Sequence, residues 1–255
     1  MIMLVKMASH NNINTVECSR VHHRLSVCSY NCRGFNFVKR EYINRLLVNC
    51  DILFMQEHWL SEAQLSELGH INNRFLCHAV CGFDNADVLS GRPYGGCAIF
   101  WRADSSARVD IVETGSTRIC AVIVCTSEFK ILFISVYMPY EDSGERADDF
   151  SFQLSLIDYT ITQNLDCHVV LGDFNVDFSR SRLHTGLLND FYENADLEPT
   201  IRHNCCNIDY SYNFNMDRFS VLDHFVLSGV LFDSALPLSQ QVTMVIICLI
   251  MILLL

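Results

Sequence analysis

Acidic and amide residues stand directly after an apolar run in the segment VVLGDFN, residues 169–175. Asp173 offers a carboxylate and Asn175 an amide, groups that bind cations or position water for attack on a phosphoester. The same residue types also favour turns, because Gly, Asp and Asn tolerate positive φ and bond to their own backbone. On this segment alone, a site and a turn are both open interpretations.

The same kinds of residue lie at the ends of four further strand-like segments. They are Asn31, Glu57 after Gln56, Tyr137 before Met138, and Asp223 before His224. Acids and amides are costly to bury without partners. If these strand ends converge at one end of a sandwich, they form a polar crater with room for a cation. Taken one at a time, each residue keeps a plainer interpretation as a turn, surface or core residue.

The oxygen ligands in this set indicate which metal would fit. Carboxylate and amide oxygens suit Mg²⁺ or Mn²⁺, whereas zinc prefers thiolate and imidazole. Because Mg²⁺ keeps several waters, Glu57 with Asn31 or an aspartate is a sufficient set, and its usual partner is a phosphate. The cysteine pairs 28/32 and 77/81 are spaced more widely than zinc ligands usually are. The sequence therefore favours a magnesium or manganese site over a structural zinc.

Strand and helix patterns indicate how these residues are positioned. Apolar runs and alternations predict strands at 25–31, 51–57, 75–80, 95–101, 109–113, 119–125, 130–138, 167–174 and 220–228. Helical spacing predicts helices at 39–48, 149–162 and 186–195, and the capping box SEAQ, residues 61–64, opens a short one. The successive strands from 75 to 138 predict an antiparallel meander. Helices flanking this much sheet predict an α+β fold of four layers, with two packed sheets between outer helices.

The composition is typical of one globular domain. Of 255 residues, 50% are hydrophobic and 18% are charged, without a linker, repeat or low-complexity tract. The net charge of −11 argues against a generally basic nucleic-acid binder, but not against an enzyme with a local basic rim. Thirteen cysteines without a secretory signal fit reduced core thiols in an intracellular protein, nuclear or cytoplasmic.

The segment MVIICLIMILLL, residues 244–255, forms an apolar tail. As a helix its length would be about 18 Å, short of the ~30 Å bilayer core. A weak membrane anchor, a buried strand or helix, and sequence foreign to the domain all remain open. A working transmembrane helix is not expected, and no stable protein partner is predicted.

Six segments resemble, in order, the motifs of the endonuclease/exonuclease/phosphatase superfamily, which has the deoxyribonuclease I-like fold. They are SYNCRG around Asn31, ILFMQEHWL around Glu57, GRPYGGCAIFW at 91–101, ISVYMPY around Tyr137, VVLGDFN around Asp173, and SVLDHFVLS around Asp223. Together they cover residues 25–228. GRPYGGCAIFW and the ending from Tyr210 to Phe225 are most similar to the apurinic-type endonuclease domain of non-LTR retrotransposons.

This resemblance implies hydrolytic nicking of DNA with Mg²⁺ or Mn²⁺ as the cofactor. It implies that Glu57 binds the cation and that Asn31 helps to hold the metal and the phosphate. Tyr137 would contact the scissile phosphate, Asp173 would position or deprotonate the attacking water, and Asn175 would bond the non-bridging oxygens. Four arginines near the strand ends are candidate contacts to DNA phosphates or, equally, solvated loop charges. They are Arg33, Arg180, Arg182 and Arg202.

One departure from the family pattern concerns Asp223. In the family this aspartate orients a histidine in a Ser-Asp-His element near the C-terminus, and no histidine follows His224 in this sequence. His224 is a poor substitute, since neighbours on a strand face opposite sides. The predicted domain therefore spans 25–230 without its usual closing strands. An N-terminal extension, 1–24, precedes it and an atypical apolar tail, 231–255, follows it.

Three functions remain open from the sequence. The first is a metal-dependent DNA endonuclease, which the retrotransposon-like segments favour. The second is a catalytically inactive remnant, which the missing histidine favours. The third is a phosphatase acting on inositol phosphates or another small phosphoester, which the acidic net charge mildly favours.

Overall fold

Two six-stranded β-sheets pack face to face in the computed structural model of the chain. The structure describes residues 2–8, 24–83, 94–127, 130–141, 145–163, 167–203, 210–214, 218–235 and 245–249.

The first sheet combines one parallel strand pair with antiparallel neighbours. Its strands are β1 (Ile2–Ala8), β2 (Arg24–Asn31), β3 (Ile52–Gln56), β4 (Phe75–Val80), β5 (Cys97–Arg102) and β14 (Val245–Leu249). They lie in the order β14-β1-β2-β3-β5-β4. Only β2 and β3 of this sheet are parallel, with Asn31 opposite Gln56, so their carboxyl ends lie side by side.

The second sheet has the same arrangement. Its strands are β6 (Arg108–Val112), β7 (Ile119–Cys125), β8 (Lys130–Tyr137), β9 (His168–Asp173), β10 (Leu197–Pro199) and β13 (Asp223–Ser228). They lie in the order β10-β13-β9-β8-β7-β6, and β8 and β9 are the parallel pair. A small separate ribbon pairs β11 (Tyr212–Phe214) with β12 (Arg218–Ser220).

Most of the helices cover the outer faces of the sheets, whereas the last one packs Leu231 and Phe232 against the core between them. The helices are α1 (Phe37–Asn49), α2 (Ser66–Gly69), α3 (Glu145–Thr162), α4 (Leu183–Asn194) and α5 (Gly229–Ala235), with 3₁₀ turns at Glu62–Gln64 and Thr200–Arg202. Ile43 and Leu47 of α1 pack on the first sheet, while α3 and α4 pack on the second. Between the sheets, the rings of Phe54 and Phe133 lie 5.9 Å apart. This is the four-layer α+β sandwich that the sequence predicts.

The predicted antiparallel meander is divided between the two sheets. β4 and β5 pair in the first sheet, whereas β6, β7 and β8 form a meander in the second. The prediction of a single meander is therefore wrong. Its physical cause is that both sheets bury their inner faces, so the hydrophobic pattern of a strand does not reveal which sheet it joins.

Both segments that the sequence places outside the domain contribute a strand to the first sheet. β1 comes from the N-terminal extension and pairs with β2, and β14 comes from the apolar tail and pairs with β1. In the parts of the chain that the structure describes, no helix combines the length and apolar character needed to cross a membrane.

Candidate active site

The two parallel strand pairs bring the candidate residues to one end of the sandwich. Asn31 is the last residue of β2, and Glu57 follows the end of β3. In the second sheet, Tyr137 and Asp173 end β8 and β9 as paired residues, and Asp223 at the start of β13 lies opposite Asp173. Both sheets therefore present polar residues at the same edge.

Asn31 joins the two sheets at this edge. Its Nδ2 donates to Glu57 Oε1 at 2.8 Å and to Asp173 Oδ2 at 2.8 Å. The second oxygen of Glu57, Oε2, accepts from the indole N–H of Trp59 at 3.1 Å. Two carboxylates from different sheets thus face one point, held there by a single amide.

The segment VVLGDFN forms a turn whose residues line the pocket. Asp173 Oδ1 accepts the backbone N–H of Asn175 at 2.9 Å, which is an Asx turn, while its Oδ2 receives Asn31. Asn175 has φ 53° and donates from Nδ2 to the carbonyl of Met138 at 2.8 Å. The turn is therefore confirmed, and the same two residues line the pocket.

Glu57 has a strained backbone that is hydrogen-bonded to two glycines. Its φ is 56°, in the left-handed region, which costs a residue with a side chain about 1–3 kcal/mol. Its N–H donates to the carbonyl of Gly96 at 2.8 Å, and its own carbonyl accepts from Gly34 at 2.7 Å. Gly96 has φ 85°, and a Cβ there would lie 2.3 Å from the ring of His58. The glycine pair in GRPYGG therefore supports the position of Glu57, a role that the sequence did not reveal.

Burial and nearby negative charges raise the pKa values of Asp173 and Tyr137. Asp173 and Asp223 are 6% and 7% exposed. Burial raises the pKa of Asp173 well above its usual range, and the charges of Asp223 and Glu57 add to the rise. Burial raises the pKa of Tyr137 as well, with the same acids, Glu57 and Asp173, adding to it. A cation placed here would offset this repulsion.

Asp223 is held by Ser211, and His224 lies on the opposite face of β13. Ser211 Oγ accepts the backbone N–H of Leu222 at 2.8 Å and of Asp223 at 3.1 Å. Burial raises the pKa of Asp223, while the hydrogen bond from Ser211 and the charge of Arg33 oppose the rise. His224 is 2% exposed and sits with Nε2 2.8 Å from the carbonyl of Val176, so it does not partner Asp223.

A pocket of about 460 Å³ opens above these residues. Glu57, Asp173 and Asn175 line it, and three of the predicted arginines contribute to its walls: Arg33, Arg180 and Arg182. Arg180 is already engaged, because it donates to Ser220 Oγ at 3.0 Å and lies 3.5 Å from Asp177 Oδ2.

The structure does not bring Arg202 to the pocket. Its guanidinium lies over the ring of Phe178 at 5.0 Å, and it donates to Asn189. Phe178 also packs against His224, so Arg202 lies on the outer face of the second sheet, away from Asp223. Nearness to a strand end in the sequence did not place Arg202 at the pocket, because successive side chains of a strand point to opposite faces of the sheet.

The oxygen donors present here fit Mg²⁺ or Mn²⁺. Two carboxylate oxygens, of Glu57 and Asp173, lie within hydrogen-bond distance of the same Asn31 atom. Among the residues that the structure describes, no three His, Cys, Asp or Glu side chains converge as a ready-made metal cluster. The two carboxylates suit Mg²⁺, which takes one or two carboxylates and fills its remaining positions with water and phosphate oxygens.

Comparisons with known proteins agree with the fold. The model of the Endonuclease/Exonuclease/phosphatase family matches residues 28–239. The chain is similar to the endonuclease domain of TRAS1, a telomere-specific non-LTR retrotransposon, at 14% identity and TM-score 0.59, covering 81% of this chain and 86% of that one. No curated protein matches the chain.

Two further solved structures share the fold. One is a 3′ phosphatase from Neisseria bound to a product DNA hairpin, with 16% identity, TM-score 0.60, and coverage of 81% of this chain and 87% of that one. The other is a mannosyl-6-phosphatase from Bacteroides thetaiotaomicron, with 22% identity, TM-score 0.55, and coverage of 80% and 85%. Nuclease and phosphatase relatives thus share one architecture with this chain.

Proposed function

This chain belongs to the endonuclease/exonuclease/phosphatase family, and we propose that it is a metal-dependent phosphodiester hydrolase that nicks DNA. The observation that carries the proposal is the Asn31 amide, which holds the carboxylates of Glu57 and Asp173 together at the base of the pocket. Hydrolysis of a phosphodiester needs charge neutralisation and an activated water at the same place.

Glu57 would hold Mg²⁺ or Mn²⁺, joined by Asn31 through its Oδ1, the amide atom that accepts the backbone N–H of Arg33 in this structure. When bound, the cation would neutralise charge on the phosphate oxygens. Asp173 would orient the attacking water and accept its proton, a role that suits a carboxylate whose pKa burial raises. This aspartate is held in one orientation by Asn31 and Asn175 together.

Tyr137 and Asn175 would stabilise the charge that develops on the phosphate. Burial raises the pKa of Tyr137, which keeps its phenol protonated and able to donate to a phosphate oxygen. Asn175 donates one amide hydrogen to the carbonyl of Met138, and this bond fixes the orientation of its second amide hydrogen. Fixed donors of this kind require no reorganisation during the reaction.

DNA as the substrate is supported by the retrotransposon-like segments and by the arginines in the pocket wall. A small phosphoester is the second candidate, because the net charge is −11 and the pocket is compact. The similar mannosyl-6-phosphatase shows that the shared architecture also occurs in phosphatases. Among the described residues no histidine is hydrogen-bonded to Asp223, and we expect slow turnover of either substrate for that reason.

Relaxation of supercoiled plasmid, measured beside phosphate release from inositol phosphates and mannose 6-phosphate, tests the proposal. Nicking should require Mg²⁺ or Mn²⁺, stop with EDTA, and slow by about 10²- to 10⁴-fold in Asp173→Asn. Asp104→Asn is the matched control, because Asp104 is an exposed aspartate paired with Arg74. Phosphate release without nicking would establish the phosphatase instead, and neither activity would indicate an inactive remnant.

A further inference from the structure

Aromatic side chains lie in the pocket wall and beside it, and two of them, Tyr140 and Tyr94, are exposed. Tyr140 lines the pocket and is 49% exposed, and Tyr212 lines it as well. Beside Glu57, the rings of Trp59 and Tyr94 meet edge to face at 5.2 Å, and Tyr94 is 62% exposed. Large aromatic rings left in water at a polar site indicate a ligand with flat, apolar faces.

Two of these rings are backed by arginines. The guanidinium of Arg146 lies 3.8 Å from the ring centre of Tyr140, and that of Arg33 lies 4.8 Å from the ring centre of Tyr212. A cation on one face of a ring holds its orientation and places positive charge beside any anion that the ring binds. The solvent-exposed half of Tyr140 then remains available to a stacking partner.

The charge of the molecule limits how nucleic acid can bind. With a net charge of −11, the protein as a whole does not attract a polyanion. Three arginines line the pocket, Arg33, Arg180 and Arg182, and Arg180 is already paired with Asp177. Such a site neutralises few phosphates, so most of the binding free energy must come from stacking.

The size of the pocket also suits a small ligand. Its volume of about 460 Å³ lies within the range of small-ligand sites, about 300–1,000 Å³. That volume suits one nucleotide, whereas paired bases keep their faces inside the duplex stack and away from the rings at the mouth.

We propose that the pocket binds an unpaired nucleotide of single-stranded DNA, with bases stacked on Tyr140 and Tyr212 and the adjoining phosphate at Arg33 and Arg182. The catalytic meaning of this inference rests on the proposed function, because the phosphate next to the stacked base is the one that would be hydrolysed. The binding itself does not depend on turnover.

Fluorescence anisotropy in EDTA measures the binding without cleavage. Three labelled probes of equal length separate the contributions: a thymidine strand, a strand of abasic residues with the same phosphates, and a duplex. The full chain should bind the thymidine strand at least about 5-fold more tightly than the abasic strand, since stacking contributes about 1–3 kcal/mol per base. The duplex should bind no better than the abasic strand.

Substitutions assign the effect to the two rings. Tyr140→Ala should weaken binding of the thymidine strand by about 5-fold or more and leave the abasic strand unchanged. Tyr212→Ala should weaken binding of the thymidine strand by more than that of the abasic strand, because its ring also contacts Arg33. Tyr140→Phe keeps the ring and should bind as the wild type does. Tyr159→Ala is the control, because Tyr159 is 64% exposed on α3 and does not line the pocket.

The outcomes separate this inference from the proposed function. Equal affinity for thymidine and abasic strands, or tighter binding of the duplex, would overturn the stacking site whatever the nicking assay shows. Ring-dependent binding without any nicking would overturn the proposed catalysis and leave the stacking site standing. Because Tyr140 is half exposed, Tyr140→Ala should fold normally, and its melting temperature checks this.

Discussion

At the scale of single residues, Asp173 and Asp223 lie side by side but make different contacts. Asp173 accepts hydrogen bonds from both Asn31 and Asn175 and faces the pocket. Asp223 is buried beside it and is held through Ser211. In the family pattern Asp223 acts through a histidine, and this sequence has none after His224.

Substituting the two aspartates should therefore give unequal losses. Asp173→Asn should slow plasmid nicking by about 10²- to 10⁴-fold, the usual cost of losing an acid–base group. Asp223→Asn should cost less than about 10-fold, because no histidine among the described residues is hydrogen-bonded to this aspartate. Single-turnover rates on supercoiled plasmid compare the two. If Asp223→Asn is as slow as Asp173→Asn, another group has taken the role of the histidine.

His224 should make the stability of the fold depend on pH. Burial lowers its pKa to about 4, against about 6.5 in the unfolded chain. The unfolded state thus binds the proton more tightly, so the stabilisation is complete above pH 6.5 and is lost as the pH falls towards 4. The loss between pH 7 and 4.5 should be about 2 kcal/mol from this residue.

Urea denaturation at the two pH values measures that loss. His224→Gln should lower the stability at pH 7, because it disturbs the packing on Phe174, and should reduce the difference between pH 7 and 4.5. His70→Gln, at an exposed position after α2, is the control and should leave the difference as it is. An unchanged difference in His224→Gln would contradict the assignment.

At the scale of elements, Gly172 decides whether β8 and β9 can pair. Its φ is 142°, and a Cβ there would lie 2.1 Å from the backbone carbonyl oxygen of Val136. Gly172→Ala should destabilise the fold by about 3 kcal/mol or more, because backbone must move and both Tyr137 and Asp173 end these strands.

A second glycine gives a matched control. Gly186 lies within α4, and a Cβ there would meet nothing within 4 Å. Gly186→Ala should therefore stabilise the protein by about 0.5–1 kcal/mol through the greater helix propensity of alanine. Thermal melting of both variants tests the contrast, and a tolerated Gly172→Ala would show that the strands can separate without loss.

The sequence predicts elements well where one strand or helix carries its own signal. β7 is found at its predicted residues, 119–125, because every position is apolar, and α1 follows from its buried Ile43 and Leu47. Helix α3 begins at Glu145 rather than 149, since its first turn is polar. The three-residue strands β10, β11 and β12 are too short to show a period.

Some features of the candidate site could likewise be predicted from the sequence, and others could not. Strand ends predicted Asn31 and Asp173, because apolar runs that stop at polar residues are visible locally. The contributions of Gly96 and Ser211 depend on contacts made across the fold, with Glu57 and Asp223 respectively, and nothing near them in the sequence indicates those partners.

At the scale of the whole molecule, the site lies on the seam between the two sheets. Asn31 and Asp173 are 142 positions apart in the sequence and meet only when the sandwich has formed. Anything that binds at this seam should therefore stabilise the complete fold, because the unfolded chain cannot assemble the same ligands.

Mn²⁺ and Mg²⁺ should raise the melting temperature through this linkage. At a concentration 100-fold above the dissociation constant, a single site adds about 2.7 kcal/mol. Glu57→Gln should remove most of the shift and the heat of Mn²⁺ binding in calorimetry. Glu67→Gln, at an exposed position on α2, is the control. Equal heats from the wild type and Glu57→Gln would contradict a metal site at Glu57.

The net charge of −11 should also appear in how salt affects DNA binding. Each phosphate contact to single-stranded DNA contributes about −0.7 to the slope of log affinity against log salt. If Arg33 and Arg182 supply the contacts, the slope should be about −1.4, so raising salt from 50 to 200 mM costs about 7-fold in affinity. Arg182→Ala should make the slope shallower by about 0.7. Arg45→Ala, at an exposed arginine paired with Glu41, should not change it. A slope steeper than about −5 would require a broad basic surface and would contradict a small, stacking-dominated footprint.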